Sequence, residues 1–280
     1  MLVPNSFNKV LNYSILISKE TRGERCGRAE KEASVFLHKN VLSSYTLFQI
    51  INPRPNDIFP AMAKGAVVYD SPSMNVIVRA MFEAYINMHY LLIDPSTEKE
   101  RDFRLDRWEK HSLTERKKIA SSLGSKSPVL VEDEKQILFY ENRIKNSSVY
   151  KSLSPQEKQS IDNSEKWTKV DTITRAILAG FHKTQAEFLY KFLSNYSHSE
   201  SYSLMQLHSI KKIEEALALC NMPLRFGEML LALSINCFSQ LNGMAMDVIS
   251  KNNELKILID FWESLKQKDL TEMMKIANEK

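Results

Sequence analysis

The sequence predicts an all-α protein, an irregular multi-helix bundle folded as a single domain over residues 1–280. Apolar residues recur at three- and four-residue spacing through most of the chain, and no run of strict alternation long enough for a sheet occurs. Prolines fall at the edges of these periodic segments, where helices start and stop. Apolar residues make up 43% of the chain, enough for a substantial core, and the charged share of 26% excludes a disordered polymer.

Residues 1–22 form a poorly defined N-terminal segment with neither a continuous apolar stretch nor a small-residue cleavage site, so no signal peptide is expected. All nine prolines (Pro4, Pro53, Pro55, Pro60, Pro72, Pro95, Pro128, Pro155 and Pro223) are read as boundary marks. Two valine-bearing pieces, Ala66–Tyr69 and Pro128–Val131, read as short extended segments. After Ser71-Pro72, the stretch to Asp94 is apolar on nearly every side and is expected in the core. Glu98–Lys118 interleaves eight Lys or Arg with six Asp or Glu, the pattern of a solvated helix face. Lys145–Lys169 is rich in Ser, Lys, Asn and Gln and reads as a surface excursion. Ser154-Pro155-Gln156-Glu157 has the form of a capping box, and Thr97 with Glu100 and Asp269 with Glu272 share its offset. Helical stripes follow at Ile210, Ile213, Leu217 and Cys220, then at Leu255, Leu258, Ile259, Trp262 and Leu265. A last short one comprises Leu270, Met273, Met274 and Ala277.

Several classes are excluded by what the chain lacks. Seven scattered glycines make neither a P-loop nor a dinucleotide-binding turn. No His-Glu-x-x-His, Cys-His cluster, G-x-S-x-G elbow or paired Glu-x-x-His is present, so no metal and no cofactor is expected. Cys26, Cys220 and Cys237 are odd in number and irregular in spacing, which points to a reducing, cytoplasmic setting. The charge-free stretch Met229–Met246 carries Ser, Asn and Gln and reads as a buried helix rather than a membrane span. The net charge of +4 comes from interleaved basic and acidic residues and by itself names no nucleic-acid partner.

The chemically informative feature is a pair of polar stripes. Asn75, Arg79, Glu83 and Asn87 recur every four residues on the greasy Ser71–Asp94 helix and form one seam. Arg79 and Glu83 can pair at i,i+4, but further partners must come from a facing element. Tyr190, Ser194 and His198 repeat the spacing on a later helix. Should the two helices face each other, an arginine, a carboxylate, a hydroxyl and a histidine converge. That set serves either general acid–base chemistry with a cationic stabiliser or a structural polar network.

At these residues the chain resembles a family of uncharacterised bacterial helical proteins over roughly residues 30–245. Their Arg-x-x-x-Glu and Tyr-x-x-x-Ser-x-x-x-His helices correspond to Arg79–Glu83 and Tyr190–His198. A more distant likeness is to HEPN-type helical ribonucleases of bacterial toxin and phage-defence systems, whose motif is an Arg, four to six residues and a His. Arg104–His111 and Arg175–His182 match that spacing, while Lys191 stands where His198 would need the arginine. The HEPN likeness implies a metal-independent ribonuclease or nucleotide-handling enzyme, and the two polar stripes supply its candidate catalytic residues, Arg79, Glu83, Tyr190, Ser194 and His198. The competing reading is a helical binding or assembly module, a homodimer, whose seam is structural. The expected partners are RNA or a nucleotide and a second copy of the chain, with no membrane.

Overall fold

The computed structural model describes residues 4–23, 26–53, 68–124, 127–198 and 200–272. The expectations at Pro55, Pro60, Ala66, Met273, Met274 and Ala277 lie outside the described residues. Among the described residues all regular structure is helical, as the periodicity requires. Two compact units emerge, one from residues 1–89 and 172–280, the other from Tyr90–Asp171.

The first unit opens with α1 (Asn5–Glu20) and α2 (Arg28–Ile51), which bury Phe7, Val10 and Ile17 and Leu37, Leu47 and Ile51 respectively. The next helix, α3 (Ser71–Met88), starts where Asp70 accepts the Ser73 N–H at 3.0 Å and Pro72 occupies the first turn. A π-helical turn, His89–Ile93, follows it.

The second unit contains α4 (Glu98–Ser122), α5 (Val129–Asn146), α6 (Ser148–Ser152) and α7 (Pro155–Asp162). Pro128–Val131 is therefore not extended: the tight turn at Pro128 leads straight into α5. Helix α4 starts on Thr97, which accepts the Glu100 N–H at 3.2 Å. It runs antiparallel to α5, because its partners descend as it ascends: Asp106 pairs with Arg143, Lys110 with Glu141, Lys117 with Glu134. Most of these pairs are exposed and contribute little. Asp106 and Asp133 are buried, and each is held by an arginine of the facing helix. Helix α7 opens on the expected capping box, with Ser154 accepting from Glu157 N–H and Glu157 from Ser154 N–H. Most of Lys145–Lys169 is half-buried or exposed, with α6 and α7 formed within it.

The chain returns to the first unit with α8 (Thr172–Leu178), α9 (Lys183–Ser197), α10 (Ser201–Ser209), α11 (Ile213–Ser239), α12 (Gly243–Lys251) and α13 (Asn253–Lys266). Helix α11 is the axis of this unit and packs on α1, α2, α3, α12 and α13. Ile210 falls outside it, in the connection after α10. Pro223 is not a boundary either, since it lies within α11. An interior proline costs about 3 kcal/mol, and here it is offset by burial of Leu224, Phe226, Met229 to Leu233 and Ile235 on the same helix. Helices α11 and α2 approach closely at Gly227, where an added Cβ would stand 2.5 Å from Leu47 Cδ1. Asn40 Nδ2 donates to Ser234 Oγ across the same pair of helices at 2.7 Å.

Two stretches, Ser71–Ile93 and Ile213–Ser239, are long and apolar enough to cross a membrane by length and composition. More than half of each is buried inside the fold (56% and 61%), as for core helices.

Candidate functional site

The two polar stripes do face each other in part. Helices α3 and α9 are packed neighbours. They run antiparallel, because Tyr85 lies against Phe181 whereas Arg79 lies against Tyr190 further along α9. The Arg79 guanidinium sits 4.4 Å from the Tyr190 ring centroid, and its Nη2 is 2.8 Å from Glu83 Oε1. Arg79, Glu83 and Tyr190 thus come together. Glu83 is less buried than an all-apolar helix suggests, its side chain being 46% exposed against 14% for Arg79.

His198 does not join them, and Ser194 lies half-buried one turn past Tyr190. His198 is exposed at the C-cap of α9, where its backbone N–H donates to the Ser194 carbonyl at 3.0 Å. It lies eight residues past Tyr190, roughly 12 Å along the axis, and in an antiparallel pair that direction leads away from Glu83. Asn75 is buried and donates to the Ser71 carbonyl at 2.9 Å, which leaves its Oδ1 without a partner. Arg79 Nη1 and Asn87 Oδ1 are likewise unpartnered.

A second buried polar group in this unit was not legible in the sequence. Lys266 is buried with its Nζ 2.6 Å from Glu263 and 3.1 Å from the Tyr85 hydroxyl. Asn236 donates to Glu263 at 2.8 Å, and Gln185 closes the end of α13 by donating to the Leu265 and Lys268 carbonyls, each at 2.7 Å. Burial drives the Tyr85 hydroxyl well above its ordinary value and pushes the Cys237 thiol up to about 12. A lysine so paired, beside an inert thiol, forms a clasp between α3, α11 and α13.

The second unit carries a cleft of about 280 Å³ between α4 and the segment Ile161–Trp167. Arg107, Lys110, His111, Thr114 and Lys118 line it from α4, joined by Lys145 and Lys166. Five permanent cations face three carboxylates, Glu141, Asp162 and Glu165, leaving two positive charges in surplus. Lys110 and Lys145 share Glu141 at 3.8 and 2.8 Å, and Lys118 reaches Glu115 at 3.0 Å and Glu165 at 3.5 Å. Arg107 is half-buried, pairs with no carboxylate among the described residues and lies 5.7 Å from the Phe103 ring centroid. Desolvation holds its guanidinium below the ordinary value, opposed by Tyr90.

His111 is oriented by its neighbour. Its Nδ1 lies 2.8 Å from the Glu165 carbonyl oxygen. A carbonyl only accepts, so Nδ1 carries the proton and Nε2 is the basic nitrogen of the neutral ring. Both formal Arg-to-His matches are otherwise engaged. Arg104 is tied to the Tyr90 carbonyl and Asp94, both at 2.6 Å, and to Glu100 at 2.5 Å. Arg175 donates to the Thr172 hydroxyl at 3.2 Å, and His182 caps α9 by accepting from Thr184.

Among the described residues no three His, Cys, Asp or Glu side chains gather as a metal-binding group. Neither a curated protein nor a solved structure matches the chain. One family model does match, over residues 66–215, a span that includes the seam and the cleft and is narrower than the expected 30–245. That span is just over half of the 280 residues, and the chain belongs to this family, DUF5677, a family of unknown function.

Proposed function

We propose that this protein binds a phosphate-bearing ligand, RNA or a nucleotide, in the cleft of the Tyr90–Asp171 unit, and acts on it without a metal. One observation carries the reading: a half-buried Arg107 without a carboxylate partner shares a cation-rich cleft with a histidine whose basic nitrogen is already selected. An unpaired guanidinium is costly to desolvate unless an anion completes it, and phosphate oxygens fit its donors. In RNA the chemistry follows directly. The 2′-hydroxyl attacks the adjacent phosphorus as its proton passes to His111 Nε2, and the 5′-oxygen leaves with a proton from solvent. Arg107 and Lys110 offset the charge that builds on the phosphoryl oxygens.

The HEPN likeness, and with it a place in bacterial defence or toxin systems, belongs to this proposal through His111 alone. Arg104 is consumed by Asp94 and Glu100, so Arg107, one turn later, takes the cationic role. The competing assembly reading draws its support from the seam, where Arg79 pairs with Glu83 and lies over the Tyr190 ring.

The test is RNA binding and cleavage by the full chain, with EDTA present, for wild type, Arg107→Gln and His111→Gln, each checked for helix content. Arg107→Gln is expected to weaken binding, and His111→Gln to bind and not cleave. Cleavage unchanged in both variants, or no binding by the wild type, overturns the proposal.

A further inference from the structure

The cleft does not end at its cations. A shallow trough of about 640 Å³ adjoins it, and the two share His111 and Trp167 as common walls. The trough has a different chemistry. Trp108, Ile119, Ala120 and Leu123 supply its apolar surface, with Ser112 and Glu115 as polar edge. Ile119 and Leu123 are 61% and 79% exposed, a high apolar exposure on a helix whose other residues are mostly charged. Arg116, which also lines the trough, is committed to Asp133 of α5.

The helix register explains why the two chambers sit side by side. Arg107, Lys110 or His111, Thr114 and Lys118 follow one stripe of α4, and Trp108, Ser112, Glu115 and Ile119 follow the adjacent stripe. His111 stands where the stripes meet. A ligand spanning both must therefore have an anionic end and a flat or apolar end, joined by a short polar linker that passes the histidine.

Resting on the phosphate-site reading above, we infer that the ligand is a nucleoside phosphate or a single-stranded RNA residue, its phosphate beside Arg107 and Lys110 and its base in the Trp108–Trp167 trough. Aromatic side chains are sequence-tolerant platforms because every base has a π face. The absence of a deep slot favours stacking over hydrogen-bond readout of base identity. The ribose then lies beside His111, which places the imidazole next to the hydroxyl and phosphate on which it acts.

Calorimetric titration of the full chain with ribose 5-phosphate and with adenosine 5′-monophosphate separates the two claims. The nucleotide is expected to bind about ten-fold more tightly than the sugar phosphate, the gain that one stacked base brings. That preference should vanish in Trp108→Ser and shrink in Ile119→Ser, a substitution at an exposed position that preserves the fold. Ribose 5-phosphate affinity should stay the same in both variants. Equal affinity for the two ligands in the wild type, or a preference unchanged in both variants, overturns the base site and leaves the phosphate site standing. No binding of either ligand overturns both.

Discussion

The Arg79 guanidinium is held between the face of the Tyr190 ring, 4.4 Å from its centroid, and the Glu83 carboxylate, 2.8 Å away. This places the contact between α3 and α9 on a cation, which is unusual for helices whose remaining contact residues are mostly apolar. A desolvated cation over an aromatic face contributes about 0.5–2 kcal/mol. Arg79→Met and Tyr190→Leu should therefore each destabilise the fold and show a coupling of about 1 kcal/mol in a denaturant double-mutant cycle. Additive effects would mean that the two side chains merely lie close.

His198→Ala is expected to leave stability within about 0.5 kcal/mol of wild type, because an exposed cap residue that contributes only its backbone N–H loses nothing buried. RNA cleavage should be unaffected. A large loss of turnover with an unchanged melting curve would return catalysis to the α3–α9 seam.

Glu228 links stability to pH. It is buried on α11 within reach of Arg225 at 3.2 Å and Trp262 at 3.4 Å. Burial raises its carboxyl above the ordinary 4.5, against the opposing pull of Ser6, Arg225 and Trp262. The folded state then binds more protons than the unfolded one in the window from 4.5 up to the raised value, and stability falls as pH rises through it. Glu228→Gln should remove that slope and gain about 1 kcal/mol at neutral pH. Urea midpoints followed from acid to neutral pH would show it, and an unchanged slope would assign the dependence to other groups.

Gly227→Ala sets helix propensity against space. Alanine favours a helix by about 1 kcal/mol over glycine, but the new methyl would meet Leu47 Cδ1 at 2.5 Å, in a core where Leu47 is fully buried. Overpacking should prevail, with a net loss of about 1–3 kcal/mol. A second substitution, Leu47→Ala, should then cost much less in the Gly227→Ala background than in the wild type. Stabilisation by Gly227→Ala alone would show that α2 and α11 can part without strain.

Binding of single-stranded RNA to the cleft should weaken with salt. Two surplus cations correspond to a slope of about −1.4 in log affinity against log salt. Binding measured over a range of potassium chloride concentrations tests this, and a slope near zero would remove the electrostatic basis of the site.

The sequence made the helices legible because caps and apolar periods are local. Ser154 with Glu157 and Thr97 with Glu100 lie within one turn of the ends they fix. Pro223 misled because its cost is local whereas its compensation, burial against α2 and α3, is not. The Arg79–Tyr190 contact was visible as matching periods, but the antiparallel course of α9, which carries His198 away from Glu83, was not. The cleft was hidden by averaging. Glu98–Lys118 looks evenly mixed in charge, yet its unpaired arginine, its histidine and its two cleft lysines share one face, and only the partners taken by the acids reveal which cations are left over. Lys266 is a surface residue by composition and becomes a core residue only once Tyr85 and Glu263 are brought to it.

The contact between His111 and the Glu165 carbonyl spans 54 residues and divides the cleft's two duties between different parts of the chain. Charge is supplied largely by side chains of α4, whereas the choice of which imidazole nitrogen accepts a proton is made by the main chain of a connecting segment. In the proposed reaction, insertions, deletions or proline substitutions around 163–166 would therefore alter proton transfer while every charged side chain of α4 stayed in place. On that proposal, two relatives with identical α4 sequences and different segments there would share a ligand and differ in what they do to it.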